Sequence, residues 1–253
     1  MSETVTLTLR GALDRDLVAL GLTADRCAAA GAGQLAEMPV FYGGRPARVG
    51  DFFAIQGERA ARLVLVGDLT RASAIGAGMT GGDLVIEGHV GRDAGAWMSG
   101  GTIDIHGDAG DNLGGAAPGA SRGMTGGEIV VRGRAGTDAA ASLRRGLIVI
   151  VGDAGDRMGQ RMIAGSVLVC GKTGRGAGRW IKRGSIVSLG PIERPATFRY
   201  ACTYQPPHLG VTFLYLRKRY GLSIDHRYVA GRYARYSGDL AELGKGEILE
   251  WVG

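Results

Sequence analysis

Between Arg62 and Gly190 the chain writes one pattern of apolar and polar positions seven times: ARLVLVGDL, GDLVIEGHVG, GTIDIHGDAG, GEIVVRGRAG, GLIVIVGDAG, GSVLVCGKTG and GSIVSLGP. Each copy is a short strand-type run closed by a glycine. The closing glycines are Gly67, Gly88, Gly107, Gly133, Gly152, Gly171 and Gly190, at intervals of 21, 19, 26, 19, 19 and 19 residues. A period near 19 marks a repeat architecture, so it governs every other reading of the chain.

Counting back from each closing glycine turns the repeat into geometry. Four residues back stand Leu63, Leu84, Ile103, Ile129, Ile148, Val167 and Ile186; two back stand Leu65, Ile86, Ile105, Val131, Ile150, Val169 and Ser188. Residues two apart on a strand share a face, so both columns point the same way. Nine back lies a third apolar column, Met79, Met98, Met124, Leu143, Met162 and Ile181. Two past the glycine is a column of mostly small residues, Leu69, Val90, Ala109, Ala135, Ala154 and Thr173. One copy alone cannot bury three such columns, whereas stacked copies set like on like. Nineteen residues are too few for a strand plus a crossover helix, which takes roughly 30. The pattern therefore predicts an all-β core, a parallel β-helix of about seven coils. Glycine doublets such as Gly100-Gly101 before the strand, and single glycines such as Gly110 after it, fit corners that need positive φ or close backbone stacking.

The flanks lack the repeat, which divides the chain into an N-terminal cap over 1–61, the solenoid over 62–190 and a C-terminal cap with an extended arm over 191–253. TVTLTLR alternates and reads as a first strand. Leu13 to Ala30 reads as one or two short helices, and Gly43-Gly44 as a turn between short strands. Residues 209–220, LGVTFLYLRKRY, suit a helix in an otherwise irregular tail. The 26-residue interval carries GGAAPGAS, Gly114 to Ser121, an insertion expected to bulge from one corner.

One column breaks the rule for a solvated face. Val64, Val85, Asp104, Val130, Val149, Leu168 and Val187, three back from each glycine, should point outward, yet all but Asp104 are apolar. Such a stripe calls for a cover. The chain's own terminal segments are one candidate. A partner subunit is the favoured one, because the stripe runs almost the whole solenoid.

Composition adds a location and a charge map. The 253 residues include three cysteines, Cys27, Cys170 and Cys202, scattered and without a CxxC, as expected of reduced thiols in a cytoplasmic protein. No apolar run approaches the length of a membrane span. The formal charge is +6 and uneven: residues 130–190 hold eleven Arg and Lys against Asp138, Asp153 and Asp156. Arg144-Arg145 and Lys182-Arg183 fall at the same corner two coils apart, with Arg157, Arg161, Arg175 and Arg179 in nearby register. Stacking would gather them into a patch suited to an anionic ligand or an acidic protein surface, or simply to solvent. Trp180 is the single aromatic that interleaves with these charges, too few for a stacking surface, which argues against nucleic acid.

Catalytic signals are scarce. Asp104 and His106 share an outer strand face, with Glu87 one coil away. Without a third good ligand this trio reads as a satisfied ion-pair cluster rather than a metal or acid–base site. No G-x-S-x-G elbow, P-loop or HExxH string occurs, and GxGxxG-like strings near Gly174 to Gly178 lack a surrounding βαβ unit. No catalytic residue and no metal ligand is assigned.

The repeat GGxIxVxGxxG resembles the GXGXG domain at the end of glutamate synthase large subunits. MPVFYGGRPARVGDFFAIQG before it and RYARYSGDLAELGKGEI after it are similar to the GXGXG-bearing subunit of formylmethanofuran dehydrogenase and of the related bacterial formyltransferase/hydrolase complex. The resemblance implies a right-handed β-helix and a non-catalytic scaffold, with the chemistry on an amidohydrolase-like and a formyltransferase subunit. It also implies a methanofuran-type carrier with an anionic glutamyl tail, for which Arg144, Arg145, Arg175, Arg179, Lys182 and Arg183 are the candidate contacts. A separately expressed glutamate synthase-type subunit and a free-standing binder of an acidic polymer are the alternatives from other classes.

Overall fold

A computed structural model describes residues 4–253. The N-terminal segment supplies β1 (Val5–Leu9), β2 (Leu17–Val18), α1 (Ala24–Ala29), α2 (Ala32–Ala36), β3 (Pro39–Tyr42), β4 (Arg45–Arg48), α3 (Val49–Phe52) and β5 (Phe53–Gln56). The repeats supply β6 (Arg62–Val66), β7 (Ala72–Ser73), β8 (Asp83–Glu87), β9 (Thr102–Ile105), β10 (Glu128–Val131), β11 (Leu147–Ile150), β12 (Ser166–Val169) and β13 (Arg183–Ser188). The C-terminal segment adds β14 (Arg199–Tyr204), α4 (Pro207–Tyr220), α5 (His226–Ala230), β15 (Tyr233–Gly238) and β16 (Lys245–Trp251).

The strands make a mostly β structure around a 12-stranded sheet, ordered β14-β15-β16-β13-β12-β11-β10-β9-β8-β6-β1-β5. From β1 to β16 every pairing is parallel. The rows fall in register as the repeat requires: Leu84 opposite Ile103, Ile103 opposite Ile129 across the insertion, and Ile129 opposite Ile148. A second parallel ladder links Leu69, Val90, Ala109, Ala135, Ala154 and Thr173 in turn. Both inward strand columns and the methionine-rich column are fully buried, Ser188 included. The Ser188 hydroxyl donates to the Gly190 carbonyl at 2.8 Å, so its burial leaves no orphan.

The glycines serve two distinct ends. Gly101 turns the corner at φ +83, where a side chain is strained. Gly110 has no unusual φ, but a Cβ there would lie 2.7 Å from the backbone of Gly91 and Arg92 in the neighbouring repeat. The stacking distance itself excludes a side chain.

Both flanks differ from expectation. Leu17–Val18 form a strand rather than part of a helix, pairing with β3 and with β7. The tail is not irregular. Gly246-Glu247-Ile248-Leu249 continues the stack, with Ile248 opposite Ile186, and antiparallel β15 and β14 follow. The parallel run thus extends beyond 62–190 at both ends. It stops where antiparallel strands take up its open edges.

The outer stripe is covered by the chain itself. Helix α4 starts at Pro206-Pro207 and stops at Gly221, whose φ of +66 suits a left-handed cap. Its inward residues Leu209, Phe213, Leu216 and Tyr220 pack on Val130, Val149, Leu168 and Val187. The expectation of a partner subunit over this part of the stripe is overturned. A helix well downstream of the last repeat does the covering, a long-range return that no local pattern announces.

Candidate functional site

The basic residues sit at the corner just before each strand. Leu143, Met162 and Ile181 point inward. The next amides tie repeat to repeat: Arg144 N–H donates to Met124 O at 2.9 Å, Ile163 to Leu143 at 2.7 Å and Lys182 to Met162 at 2.8 Å. The chain then turns through glycine at Gly146, Gly165 and Gly184, all at positive φ. The residues between anchor and glycine are therefore displayed outward. Arg144, Arg145, Lys182 and Arg183 together line one groove of about 320 Å³, with Ile163, Ala164 and Gly165 between the charged pairs and Leu243 beside them.

An adjoining cavity of about 400 Å³ shares Ile163 and Lys182 and adds Arg161, Trp180, Ser142, Ala120, Ser121 and Glu242. Ala120 and Ser121 belong to the insertion, which reaches this site as it bulges. Trp180 is a lining residue that sequence reasoning did not assign to the site. The Arg179 guanidinium lies 4.3 Å from its ring centroid and Arg161 lies 5.0 Å away, cation–π contacts that hold both arginines at the cavity. The structure thus brings together four of the six named cations, with Arg179 alongside through Trp180. Arg175 is elsewhere, at a corner where its backbone pairs in parallel with that of Glu193, and Arg157 is engaged by Asp138 at 2.7 Å.

Several arginines elsewhere are committed to carboxylates. Arg132 grips Asp104 at 3.1 and 2.8 Å and donates to the Tyr220 carbonyl; Arg194 holds Glu250, Arg219 holds Asp83 and Arg235 holds Glu247. Among the described residues Arg144, Arg145, Arg161, Arg179, Lys182 and Arg183 form no ion pair. A row of exposed, uncommitted cations over an apolar floor is suited to a flexible polycarboxylate.

The Asp104–His106 pair is a tethering point. His106 Nε2 lies 3.5 Å from the Asp104 carboxylate that Arg132 already holds. Nearby, Glu128 accepts hydrogen bonds from Tyr215 and Tyr220 of α4. Burial, then the Glu128 carboxylate, push the Tyr220 hydroxyl well above the usual phenol range, so it stays a donor. A further cavity of about 730 Å³ runs along the second ladder. Its charges answer one another, as Arg71 with Asp16 and Arg92 with Asp93. Among the described residues no group of His, Cys, Asp and Glu is arranged to hold a metal ion, and no helix is long and apolar enough to cross a membrane.

A chain in the crystal structure of the formyltransferase/hydrolase complex (FhcABCD) from Methylorubrum extorquens, solved in complex with methylofuran, is 32% identical to this one. The likeness covers 98% of this chain and 100% of that chain, with a TM-score of 0.82. This chain belongs to that family of formyltransferase/hydrolase complex subunits. No protein-family model matches it, and a search of curated proteins returns no match. Membership extends to the flanks as well as the repeat, since almost every residue of either chain is covered.

Proposed function

We propose that this chain is the non-catalytic scaffold subunit of a cytoplasmic formyltransferase/hydrolase complex in one-carbon metabolism, holding amidohydrolase-like and formyltransferase subunits at fixed separation. The observation that carries the reading is the end-to-end likeness to a chain of such a complex. In this reading the segments 1–61 and 191–253 cap a right-handed GXGXG β-helix over 62–190, each lending the stack one further parallel strand, β1 and β16. Support for the β-helix comes from the two parallel ladders, which advance by the same repeat at two places in each coil. A rigid stack fixes a distance that a flexible linker leaves open.

The basic groove guides the anionic glutamyl tail of a methanofuran-type carrier between active sites. Arg144, Arg145, Lys182 and Arg183 form no ion pair among the described residues and line one groove with an apolar floor, and Arg179 with Arg161 extends the path past Trp180. Arg175 contributes only if the tail turns the corner toward it.

The test is purification of the tagged chain from its own cells. It should elute with formyltransferase and amidohydrolase-like chains and with formyl-transfer activity. A chain that elutes alone overturns the scaffold reading. Within the complex, reversing Arg144, Arg145, Lys182 and Arg183 to Glu should slow transfer from a long-tailed carrier by roughly tenfold or more. A truncated carrier should be spared, and equal slowing of both refutes tail guidance.

A further inference from the structure

Helix α4 is apolar on both faces. Its inner face seals the stripe, and its outer face carries Val211 at 72% exposure, Leu214 at 46% and Tyr215 at 41%. Together with His208 and Lys218 these residues follow i, i+3, i+4 and i+7 spacing, one continuous surface strip. A helix that merely caps a sheet should turn charges outward there. Beside the strip lies a groove of about 180 Å³ between α4 and α5, lined by Phe213, Leu214, Ile224 and Val229, with Arg217 and His226 at its rim.

From this we infer that the outer face of α4 and the α4–α5 groove form a docking surface for an acidic amphipathic helix of another subunit. Three observations select that occupant. The backbone of α4 is satisfied within the helix, so the surface offers no edge for an added strand and receives side chains instead. The rim is basic: His208, Arg217, Lys218, His226 and Arg227 surround the strip, and α4 itself carries no acid. Among the described residues the nearby carboxylates are already engaged: Asp225 caps α5 and holds Arg227, Glu128 accepts from Tyr215 and Tyr220, and Asp83 holds Arg219. A second copy of this chain would set one basic rim against another, which charge disfavours. An acidic helix would bury Val211 and Leu214 in the centre and answer the rim.

The inference rests on the complex proposed above, and the experiment separates the two. Val211→Asp with Leu214→Asp is introduced into the tagged chain, and the native complex is purified beside wild type. Circular dichroism and the melting temperature should be unchanged, because both positions face outward. One partner subunit should be lost, its retention falling by about tenfold or more as for a central interface anchor. A photo-crosslinker at position 211 should join a segment of that same partner that carries acids at helical spacing. If wild type assembles and the variant retains every subunit, the docking surface is wrong and the complex stands. If the crosslink falls on a basic or strand-forming segment, or on a second copy, the stated occupant is wrong. If the wild-type chain elutes alone, both readings fall.

Discussion

The outer wall under α4 and the corner groove at Arg144 look alike as sequence signals, and the fold treats them in opposite ways. Each is a row of like residues produced by stacking, apolar in one case and cationic in the other. The apolar row is closed off inside the molecule: Val130, Val149, Leu168 and Val187 lie beneath Leu209, Phe213 and Leu216. The cationic row stays open, with no ion pair from Arg144, Arg145, Lys182 or Arg183 among the described residues. A stripe of apolar side chains left in water costs about 1.5–3 kcal/mol per fully exposed Val or Leu. The chain therefore covers it in cis. Exposed guanidinium groups carry little such penalty, so nothing within the chain compels their cover. What a stacked protein leaves uncovered is thus a better guide to its partners than what its pattern repeats.

The comparison breaks most severely at the covered wall. Val130→Arg with Val149→Arg would place two unpaired charges beneath α4, at positions no more than 1% exposed. Loss of about 4 kcal/mol or more is expected, so the urea midpoint should collapse rather than assembly alone failing. Phe213→Ala, which attacks the cover from the other side, should remove about 3 kcal/mol. An unchanged midpoint in either variant would mean that α4 does not seal the wall. The matching change at the open corner, Lys182→Glu with Arg183→Glu, should leave stability within about 0.5 kcal/mol.

Two smaller changes probe the stack and its tether. Gly110→Ala forces a Cβ to within 2.7 Å of the neighbouring repeat's backbone, and an overpacking loss of about 1–3 kcal/mol should appear as a drop of several degrees in Tm. Arg132→Ala leaves the largely buried Asp104 carboxylate without its bidentate partner and frees the Tyr220 carbonyl at the end of α4. A loss of about 1–2 kcal/mol is expected, and restoring a cation with Lys should recover part of it.

How much of this was legible follows from where each signal resides. The rows through Ile103, Ile129 and Ile148 were written in local spacing, and the register reproduces them even across the insertion. The helix at 207–220 was legible as a helix but not as a lid, because nothing near Leu209 or Phe213 says which distant surface they meet. β2 escaped because two residues give no periodicity; its partners β3 and β7 make it a strand. β16 was legible and missed: GEILE repeats the GEIVV of β10, yet the closing glycine that marks every other copy is replaced by Val252. At the groove, Arg144, Arg145, Lys182 and Arg183 were placed by register alone. Trp180 was not, since its contacts with Arg161 and Arg179 depend on a backbone at positive φ that a tryptophan does not advertise.

The smallest effect offers a way to watch the cover move. Cys170 packs at the edge of the α4 cluster, and burial lifts its thiol to about 11; Cys27, enclosed by the N-terminal segment, is lifted to about 12 by burial and then by Asp25. Cys202 lies exposed on β14. The thiolate is the reactive form, so a disulfide reagent near pH 8 should titrate Cys202 quickly and the other two slowly, with all three equal in denaturant. Because the two raised thiols keep their protons in the folded state, the stability they contribute is fully present below about pH 9 and should decline as pH climbs toward 11. If α4 opens as a unit, Phe213→Ala should speed modification of Cys170 by about 100-fold, the factor that corresponds to its ~3 kcal/mol, and leave Cys27 unchanged. Equal acceleration of both thiols would mean that the molecule opens globally, and that the covered wall and the rest of the stack share one cooperative unit.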